Sequence, residues 1–259
     1  MKTLLLDLDG TMYHGNKALP SAVDFIKYLQ KNNILFYFLT NNSSRTPLEN
    51  AQHMLDIGYQ NIQAKQFFNS AMACVSYVKK KTGKRKVFIV GQTGLKDELI
   101  LRGFNIVEED ADIVMVGLNK AGDYYLYSKA LRNLLNGAVL VGTNSDRVLM
   151  DSEGISLGNG SIVSMLEYAS GQTAIITGKP SIIFIEEALN HWGLKKEEVI
   201  LIGDNLETDI QCGINGDIKT VLVLTGVHQE EDIYNLKIKP DMVVSDLNEL
   251  ITSHKFTQL

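Results

Sequence analysis

The stretch Leu4-Leu5-Leu6-Asp7-Leu8-Asp9-Gly10-Thr11, close to the start of the chain, joins a short apolar run to two acids and a glycine. The leucines predict a buried strand, and Gly10 predicts a turn where that strand ends. Asp7 and Asp9 crowd negative charge at this turn, so a counter-ion is expected. Mg²⁺ prefers one or two carboxylates together with water and phosphate oxygens. The stretch therefore indicates phosphoryl chemistry, although Asp and Gly are also common as plain turn residues.

Similar apolar runs alternate with segments of helical periodicity along most of the chain, which is typical of βαβ units. The predicted strands lie at residues 3–6, 34–39, 86–90, 112–116, 138–141, 174–177, 199–202, 220–224 and 242–244. The predicted helices lie at residues 21–29, 94–101, 124–135 and 182–192. The fold class is therefore α/β, built on a Rossmann-like parallel sheet. Since ligands bind at the carboxyl ends of such strands, we expect active-site residues there.

Two polar strand ends, Thr40 and Lys179, are 139 positions apart. A βαβ crossover needs only about 30 residues, so roughly 100 residues are left over, enough for a domain. The spacing predicts an inserted α/β domain at residues 82–177. Residues 1–81 and 178–259 then form a discontinuous core domain.

Composition restricts the setting of the protein. A net charge of −5 disfavours binding to nucleic acid, which draws on clustered Lys and Arg. The two cysteines in 259 residues give no disulfide framework and indicate a reducing, cytoplasmic compartment. No run approaches the roughly 18 apolar residues of a membrane span, so no membrane association is expected.

Four further polar residues follow predicted strands or open a helix: Thr40, Lys179, Asp204 and Asp209. Each has an ordinary structural interpretation, as a turn residue, a surface lysine or an acid that complements a helix dipole. Their joint order along the chain, after the pair Asp7 and Asp9, favours a single site.

In this combination the chain resembles the haloacid dehalogenase superfamily of phosphohydrolases. The motifs that carry the resemblance are Asp7-Leu8-Asp9-Gly10-Thr11, Thr40-Asn41, Lys179-Pro180 and Gly203-Asp204-Asn205-Leu206-Glu207-Thr208-Asp209. The large insertion and the forms of the last two motifs look like the p-nitrophenyl phosphatase or NagD-like branch, with its C2-type cap. The inserted domain would then be a cap that closes over the substrate.

The resemblance implies a Mg²⁺ site formed by Asp7, Asp204 and the main-chain carbonyl of Asp9, with Asp209 as an accessory or water-mediated partner. Asp7 would attack phosphorus and carry an aspartyl-phosphate. Asp9 would protonate the leaving alcohol and later deprotonate water. Lys179 would compensate negative charge.

The same resemblance implies a set of phosphate-binding and substrate-binding residues. Thr40 would donate a hydrogen bond to the transferring phosphoryl group. The predicted phosphate-binding and substrate-binding residues are Gly10, Asn41, Asn42 and Asn205 in the motifs, and Asn144, Asp146 and Arg147 in the cap. In the cap, Arg147 could pair with an anionic group of the substrate and Asp146 with a sugar or an amine.

The expected activity is Mg²⁺-dependent hydrolysis of small phosphorylated metabolites such as sugar phosphates, nucleoside monophosphates or p-nitrophenyl phosphate. Caps of this branch also imply a homodimer formed through the cap. A phosphotransferase or phosphomutase of the same superfamily is an alternative, since an aspartyl-phosphate can be passed to a hydroxyl. A receiver-type signalling module is a weaker alternative, because receivers are about half this length and carry their phosphorylated Asp on a middle strand.

Overall fold

The computed structural model describes residues 2–151 and 154–252. The chain divides into two compact units. The first, here called the core unit, comprises Met1–Thr40, Pro47–Phe68 and Lys179–Leu259. The second, called the cap unit, comprises Asn41–Thr46 and Asn69–Gly178. The chain therefore changes unit directly after Thr40 and directly before Lys179.

Strands and helices alternate along both units. In chain order the strands are β1 (Thr3–Asp7), β2 (Tyr13–His14), β3 (Lys17–Ala18), β4 (Phe36–Thr40), β5 (Phe67–Asn69), β6 (Lys86–Val90), β7 (Asn105–Ile106), β8 (Ile113–Val116), β9 (Val139–Gly142), β10 (Val148–Asp151), β11 (Gly154–Leu157), β12 (Ile175–Ile176), β13 (Val199–Gly203), β14 (Lys219–Val223) and β15 (Met242–Val244). The α-helices are α1 (Pro20–Lys31), α2 (Pro47–Asp56), α3 (Ser70–Thr82), α4 (Thr93–Leu101), α5 (Tyr124–Leu135), α6 (Asn159–Ser170), α7 (Ile182–Trp192), α8 (Gln211–Gly216), α9 (Glu230–Leu236) and α10 (Leu247–Thr252). Ala64–Gln66 and Lys196–Glu198 form 3₁₀ turns, and Leu206–Ile210 forms a π-helical turn.

The core unit is built on a six-stranded sheet with the order β15-β14-β13-β1-β4-β5. β1 runs parallel to both β4 and β13, and β14 runs parallel to β13 and β15. The chain therefore winds outward in one direction through β4 and in the other through β14. The order reverses between β1 and β13, and this switch point is where open parallel sheets bind ligands.

Both faces of the central strands are buried, as expected for a parallel sheet covered by helices. Leu4 and Leu6 pack in one cluster with Ile200 and Ile202, and α1 adds Phe25 to it. Ala22, Phe25, Ile26 and Leu29 of α1 are buried, as the helical spacing predicts. This packing fixes the ends of β1 and β13, where the predicted site residues lie.

The cap unit has its own five-stranded sheet, in the order β12-β9-β8-β6-β7, with parallel pairs throughout. One of its hydrophobic clusters includes residues of α3 and α4, and another includes residues of α5 and α6. The predicted α/β class is confirmed by the two parallel sheets. Within residues 2–151 and 154–252, none of the helices has the length and apolar character needed to cross a membrane.

The boundary of the cap unit differs from the sequence prediction mainly at its start, and at its end the unit closes at Gly178, one residue after the predicted 177. The predicted insert begins at residue 82, whereas the compact unit begins at Asn69 and also includes Asn41–Thr46. The reason is α3: its Ala71, Cys74 and Val75 pack in a cluster with strands of the cap sheet. Nothing in the sequence of α3 indicated which sheet its buried face would meet.

Candidate active site

Three buried acids converge at the carboxyl ends of β1 and β13. Asp7 is the last residue of β1, Asp204 follows β13 directly, and Asp209 lies in the π-helical turn. One carboxylate oxygen from each lies within 4.8 Å of the others, and all three residues are buried. The register explains their approach, because Leu6 of β1 is paired with Ile202 of β13.

Lys179 is the buried cation of this cluster, with a side chain that is 2% exposed. Its Nζ lies 2.5 Å from Asp7 Oδ1 and 2.6 Å from Asp209 Oδ1. Burial lowers the pKa of Lys179, but the charges of Asp209 and Asp7 outweigh this and raise the pKa above its ordinary value. Lys179 is therefore charged and neutralises one of three nearby carboxylates.

The acids carry more negative charge than Lys179 balances. Burial, followed by the charge of Asp209, raises the pKa of Asp7 well above its ordinary value, although Lys179 opposes this shift. The same two causes, in the same order, raise the pKa of Asp204 to about 6. A divalent cation would remove this imbalance, and a donor set made of carboxylate oxygens suits hard cations such as Mg²⁺.

The π-helical turn is capped by Asn205, whose predicted role was in the phosphate site. Asn205 Oδ1 accepts the backbone N–H groups of Glu207 and Thr208, and its main-chain oxygen accepts that of Asp209. The backbone N–H of Asn205 donates to Asp209 Oδ2 at 3.2 Å. Asn205 thus shapes the turn that carries Asp209, and π-helical turns of this kind are frequent at functional sites.

A loop that the sequence prediction missed holds Asp204. This loop follows β14, and its Val227 N–H donates to Asp204 Oδ2 at 2.7 Å, while His228 N–H donates to the Asp204 main-chain oxygen at 3.3 Å. Thr11 also donates its hydroxyl to Asp204 Oδ1, at 3.2 Å. Thr225-Gly226 follows an apolar strand, so the rule that found the other strand ends would also have found this one.

The turn after β1 separates the two acids of the first motif. Gly10 has φ +86°, and a Cβ at this position would lie 2.3 Å from Asp204 Oδ2, so only glycine fits. The carboxylate of Asp9 is not part of the buried cluster, and Asp9 is exposed. The side chain of Asp9 is therefore exposed to solvent, which suits a group that exchanges protons. The role of its main-chain carbonyl as a ligand of Mg²⁺ stays a prediction.

Thr40 and the residues after it fall in different units. Thr40 ends β4 and is buried in the core unit. Asn41 belongs to the cap unit, where its main-chain oxygen accepts from Ser70 Oγ at 2.5 Å and from Asn144 Nδ2 at 2.7 Å. Asn42 Oδ1 accepts from both the backbone N–H and the hydroxyl of Ser44. The main chain of Asn41 and the side chain of Asn42 thus have contacts within the cap unit.

The three predicted substrate residues of the cap occupy different surroundings. Asn144 and Asp146 both contact Asn41, with Asn41 Nδ2 donating to Asp146 Oδ1 at 3.1 Å. Arg147 is exposed and lines a cavity of about 360 Å³ within the cap unit. Ser145, Ser161 and Glu167 also line this cavity. Asn144 and Asp146 therefore hold the segment after Thr40, whereas Arg147 faces open space.

Comparisons with known proteins agree with this site. The haloacid dehalogenase-like hydrolase family model matches residues 4–105, and the HAD-hydrolase-like family model matches residues 176–250. Together these segments contain Asp7, Lys179 and Asp204.

Two curated relatives and one solved structure align over almost the whole chain. The acid sugar phosphatase of Staphylococcus saprophyticus is 36% identical over 251 residues, which cover 96% of each chain. The 5'-nucleotidase YutF of Bacillus subtilis is 32% identical over 250 residues, covering 96% of this chain and 97% of the relative. The structure of NagD from E. coli K-12 superposes with a TM-score of 0.89 at 30% identity, covering 96% of this chain and 98% of NagD. The chain therefore belongs to the haloacid dehalogenase-like hydrolases, in their NagD-like branch.

Proposed function

We propose that this protein is a Mg²⁺-dependent phosphatase that hydrolyses small phosphate monoesters through an aspartyl-phosphate on Asp7. The observation that carries the proposal is the buried group of Asp7, Asp204 and Asp209 around Lys179, at the switch point of the core sheet. The relatives named acid sugar phosphatase and 5'-nucleotidase support a phosphoric monoester hydrolase.

The residues present fit a divalent metal. Asp7, Asp204 and Asp209 offer oxygen donors within 4.8 Å of one another, and Lys179 balances only part of their charge. Asp7 and Asp204 would hold the ion together with the main-chain carbonyl of Asp9. When bound, the cation would supply positive charge to the phosphoryl oxygens and so reduce their repulsion of the attacking carboxylate.

In the first proposed step a carboxylate oxygen of Asp7 attacks phosphorus. An O–P bond forms to Asp7, the bond between phosphorus and the leaving oxygen breaks, and Asp9 gives its proton to that oxygen. Lys179 holds Asp7 in place and favours its ionised form, because its ammonium group lies 2.5 Å from Asp7 Oδ1. The buried hydroxyl of Thr40 would donate to a phosphoryl oxygen.

In the second step water attacks the phosphorus of the aspartyl-phosphate. Asp9, now ionised, takes the proton from the water, and the bond between phosphorus and Asp7 breaks. Inorganic phosphate leaves and both acids return to their starting protonation states. The exposed position of Asp9 favours this exchange, because its carboxylate can meet solvent between the two steps.

Phosphate release by protein freed of metal with EDTA tests the proposal directly. We expect release from p-nitrophenyl phosphate, sugar phosphates and nucleoside monophosphates after Mg²⁺ is added, and no turnover by Asp7→Asn. Asp24→Asn is the matched control, because Asp24 is an exposed acid of α1 that pairs with Lys27. Wild-type rates from Asp7→Asn would show that the nucleophile lies elsewhere.

Transfer to a second hydroxyl is the alternative chemistry for an aspartyl-phosphate. Turnover in ¹⁸O-labelled water distinguishes the two, since hydrolysis places one solvent oxygen in the released phosphate. A phosphomutase or phosphotransferase would release little labelled phosphate and would form a new phosphate ester. Rates of phosphate release across the panel of substrates also distinguish sugar phosphates from nucleotides. One curated relative is named an acid sugar phosphatase and the other a 5'-nucleotidase.

The setting of the enzyme is part of the same proposal. We place it in the cytoplasm because its two free thiols are buried and unpaired by disulfides. We expect it to act on small metabolites and on neither nucleic acid nor membrane, and its net charge of −5 disfavours nucleic acid.

We also propose a homodimer formed through the cap unit. The cross-strand pair Val148 and Leu157, with Ile155 two residues before Leu157, exposes apolar surface on the β10–β11 hairpin. Light scattering on wild type and on Ile155→Glu measures this association.

A further inference from the structure

The loop after β14 is hydrogen-bonded to the turn after β1 and to Asp204, which follows β13. Its Thr225 hydroxyl donates to the Gly10 main-chain oxygen at 2.7 Å, next to the first acid pair. Its Val227 and His228 N–H groups donate to the carboxylate and the main-chain oxygen of Asp204. This loop therefore contacts the segments that follow both β1 and β13.

His228 adds a side-chain contact that reaches the turn carrying Asp209. Its Nδ1 lies 3.1 Å from the backbone nitrogen of Leu206, and a backbone N–H can only donate. The imidazole is therefore the tautomer with its proton on Nε2, and this nitrogen lies 4.0 Å from Glu207 Oε2. Both Leu206 and His228 are buried, so the Leu206 N–H is shielded from water.

The other N–H groups of this turn already have partners. Asn205 Oδ1 accepts from the N–H groups of Glu207 and Thr208, and the Asn205 main-chain oxygen accepts from those of Asp209 and Ile210. Only Leu206, the first residue of the turn, relies on a side chain from another element. His228 consequently joins β14 to the start of the turn, between Asp204 and Asp209.

From this arrangement we infer that His228 is a positioning residue that sets the affinity of the acidic cluster for its divalent cation. It holds the main chain on both sides of Asn205, through its own N–H to Asp204 and through Nδ1 to Leu206. The inference rests on the proposed function for the identity of the cation. Residues that orient metal ligands without touching the metal typically alter metal affinity by about 10-fold to 100-fold.

The test compares three variants, His228→Ala, His228→Asn and His228→Gln. Asn places its Oδ1 acceptor where Nδ1 lies, whereas Gln carries its oxygen one atom further, near the place of Nε2. Calorimetric titration of Mg²⁺ into EDTA-treated protein gives the affinity, independently of turnover. Thermal unfolding in EDTA shows whether each variant is folded.

We expect Mg²⁺ binding to weaken on the order of tenfold in His228→Ala and His228→Gln, and to stay within about threefold of wild type in His228→Asn. Equal affinities for Asn and Gln, or wild-type affinity for Ala, would overturn the inference. The Asn–Gln comparison decides even if the Ala variant does not fold. A wild-type protein that binds Mg²⁺ yet releases no phosphate would refute the proposed function alone, while one that binds no Mg²⁺ would refute both.

Discussion

Gly226→Ala is expected to displace the Asp204 carboxylate from the acidic cluster. A Cβ at position 226 would lie 1.9 Å from Asp204 Oδ2 and 2.4 Å from its Cγ. Ordinary contact begins at 3.4 Å, so the carboxylate or the loop has to retreat by about 1.5 Å. Gly226 does not have a left-handed φ, so the alanine adds a steric clash without backbone strain.

The magnitude follows from how sharply such sites depend on geometry. A misplacement of about 1 Å costs on the order of 100-fold in rate, which corresponds to about 2.7 kcal/mol of transition-state stabilisation. We therefore expect kcat/KM for p-nitrophenyl phosphate to fall by at least about 100-fold in Gly226→Ala. Mg²⁺ affinity should fall with it, because Asp204 is a proposed ligand.

Gly193→Ala provides a matched control with the opposite pattern. Gly193 has φ +66° with no atom within 4 Å of the added Cβ, so alanine there strains the backbone and touches nothing. It should lower Tm through about 1–2 kcal/mol of strain and leave kcat unchanged. Steady-state kinetics, Mg²⁺ titration and thermal unfolding of both variants check the pattern. Wild-type kcat and Mg²⁺ affinity in Gly226→Ala would refute the reasoning.

Three further predictions concern buried charges and thiols. Lys179→Met leaves buried carboxylates without their cation, so it should abolish turnover and destabilise the metal-free protein by about 3–5 kcal/mol. Thermal unfolding measures this loss, and added Mg²⁺ should partly restore Tm. Burial raises the pKa of Cys74 and of Cys212 to about 12, so that about 10⁻⁴ of each thiol is ionised at pH 8. Thiol reagents should therefore label these cysteines only on unfolding, and fast labelling of the native protein would contradict this. Burial also raises the pKa of Glu98, with Arg102 opposing, so the folded chain keeps a proton that the unfolded chain releases. Stability should therefore fall as the pH rises from the ordinary pKa of glutamate through the raised one, and Tm measured against pH should lose this slope in Glu98→Gln.

The sequence predicted the central strands, and it predicted that acids lie at their ends, because both features leave strong local signals. Residues 4–6 and 199–202 are unbroken apolar runs, and they lie within β1 and β13. Asp7 directly after the first run, and Asp204 after Gly203 in the second, mark strand ends, where a parallel sheet binds its ligands. Asp7 and Asp204 could therefore be assigned to one site before any contact was known.

Features that depend on tertiary packing left weaker signals. Asn205 is polar and lies beside an acid, which suits a phosphate site and a helix cap equally, and only the hydrogen bonds of Glu207 and Thr208 identify the cap. His228 leaves no local signal in the sequence, because its partner Leu206 is 22 residues away and offers only a backbone N–H. Arg147 could be assigned to the cap unit, but no local pattern showed that it lines a cavity there.

The path of the chain between the two units bears on how such enzymes could diversify. The chain leaves the core unit directly after Thr40 and returns to it for the last time at Lys179. These two unit boundaries therefore lie one peptide bond away from residues proposed for the chemistry. Recombination that exchanged segments 41–46 and 69–178 between relatives would leave Asp7, Asp204 and Lys179 in their own sheet. New substrate preferences could then arise without rebuilding the phosphoryl-transfer machinery. A chimaera cut at residue 82 would instead divide α3 from the sheet against which it packs.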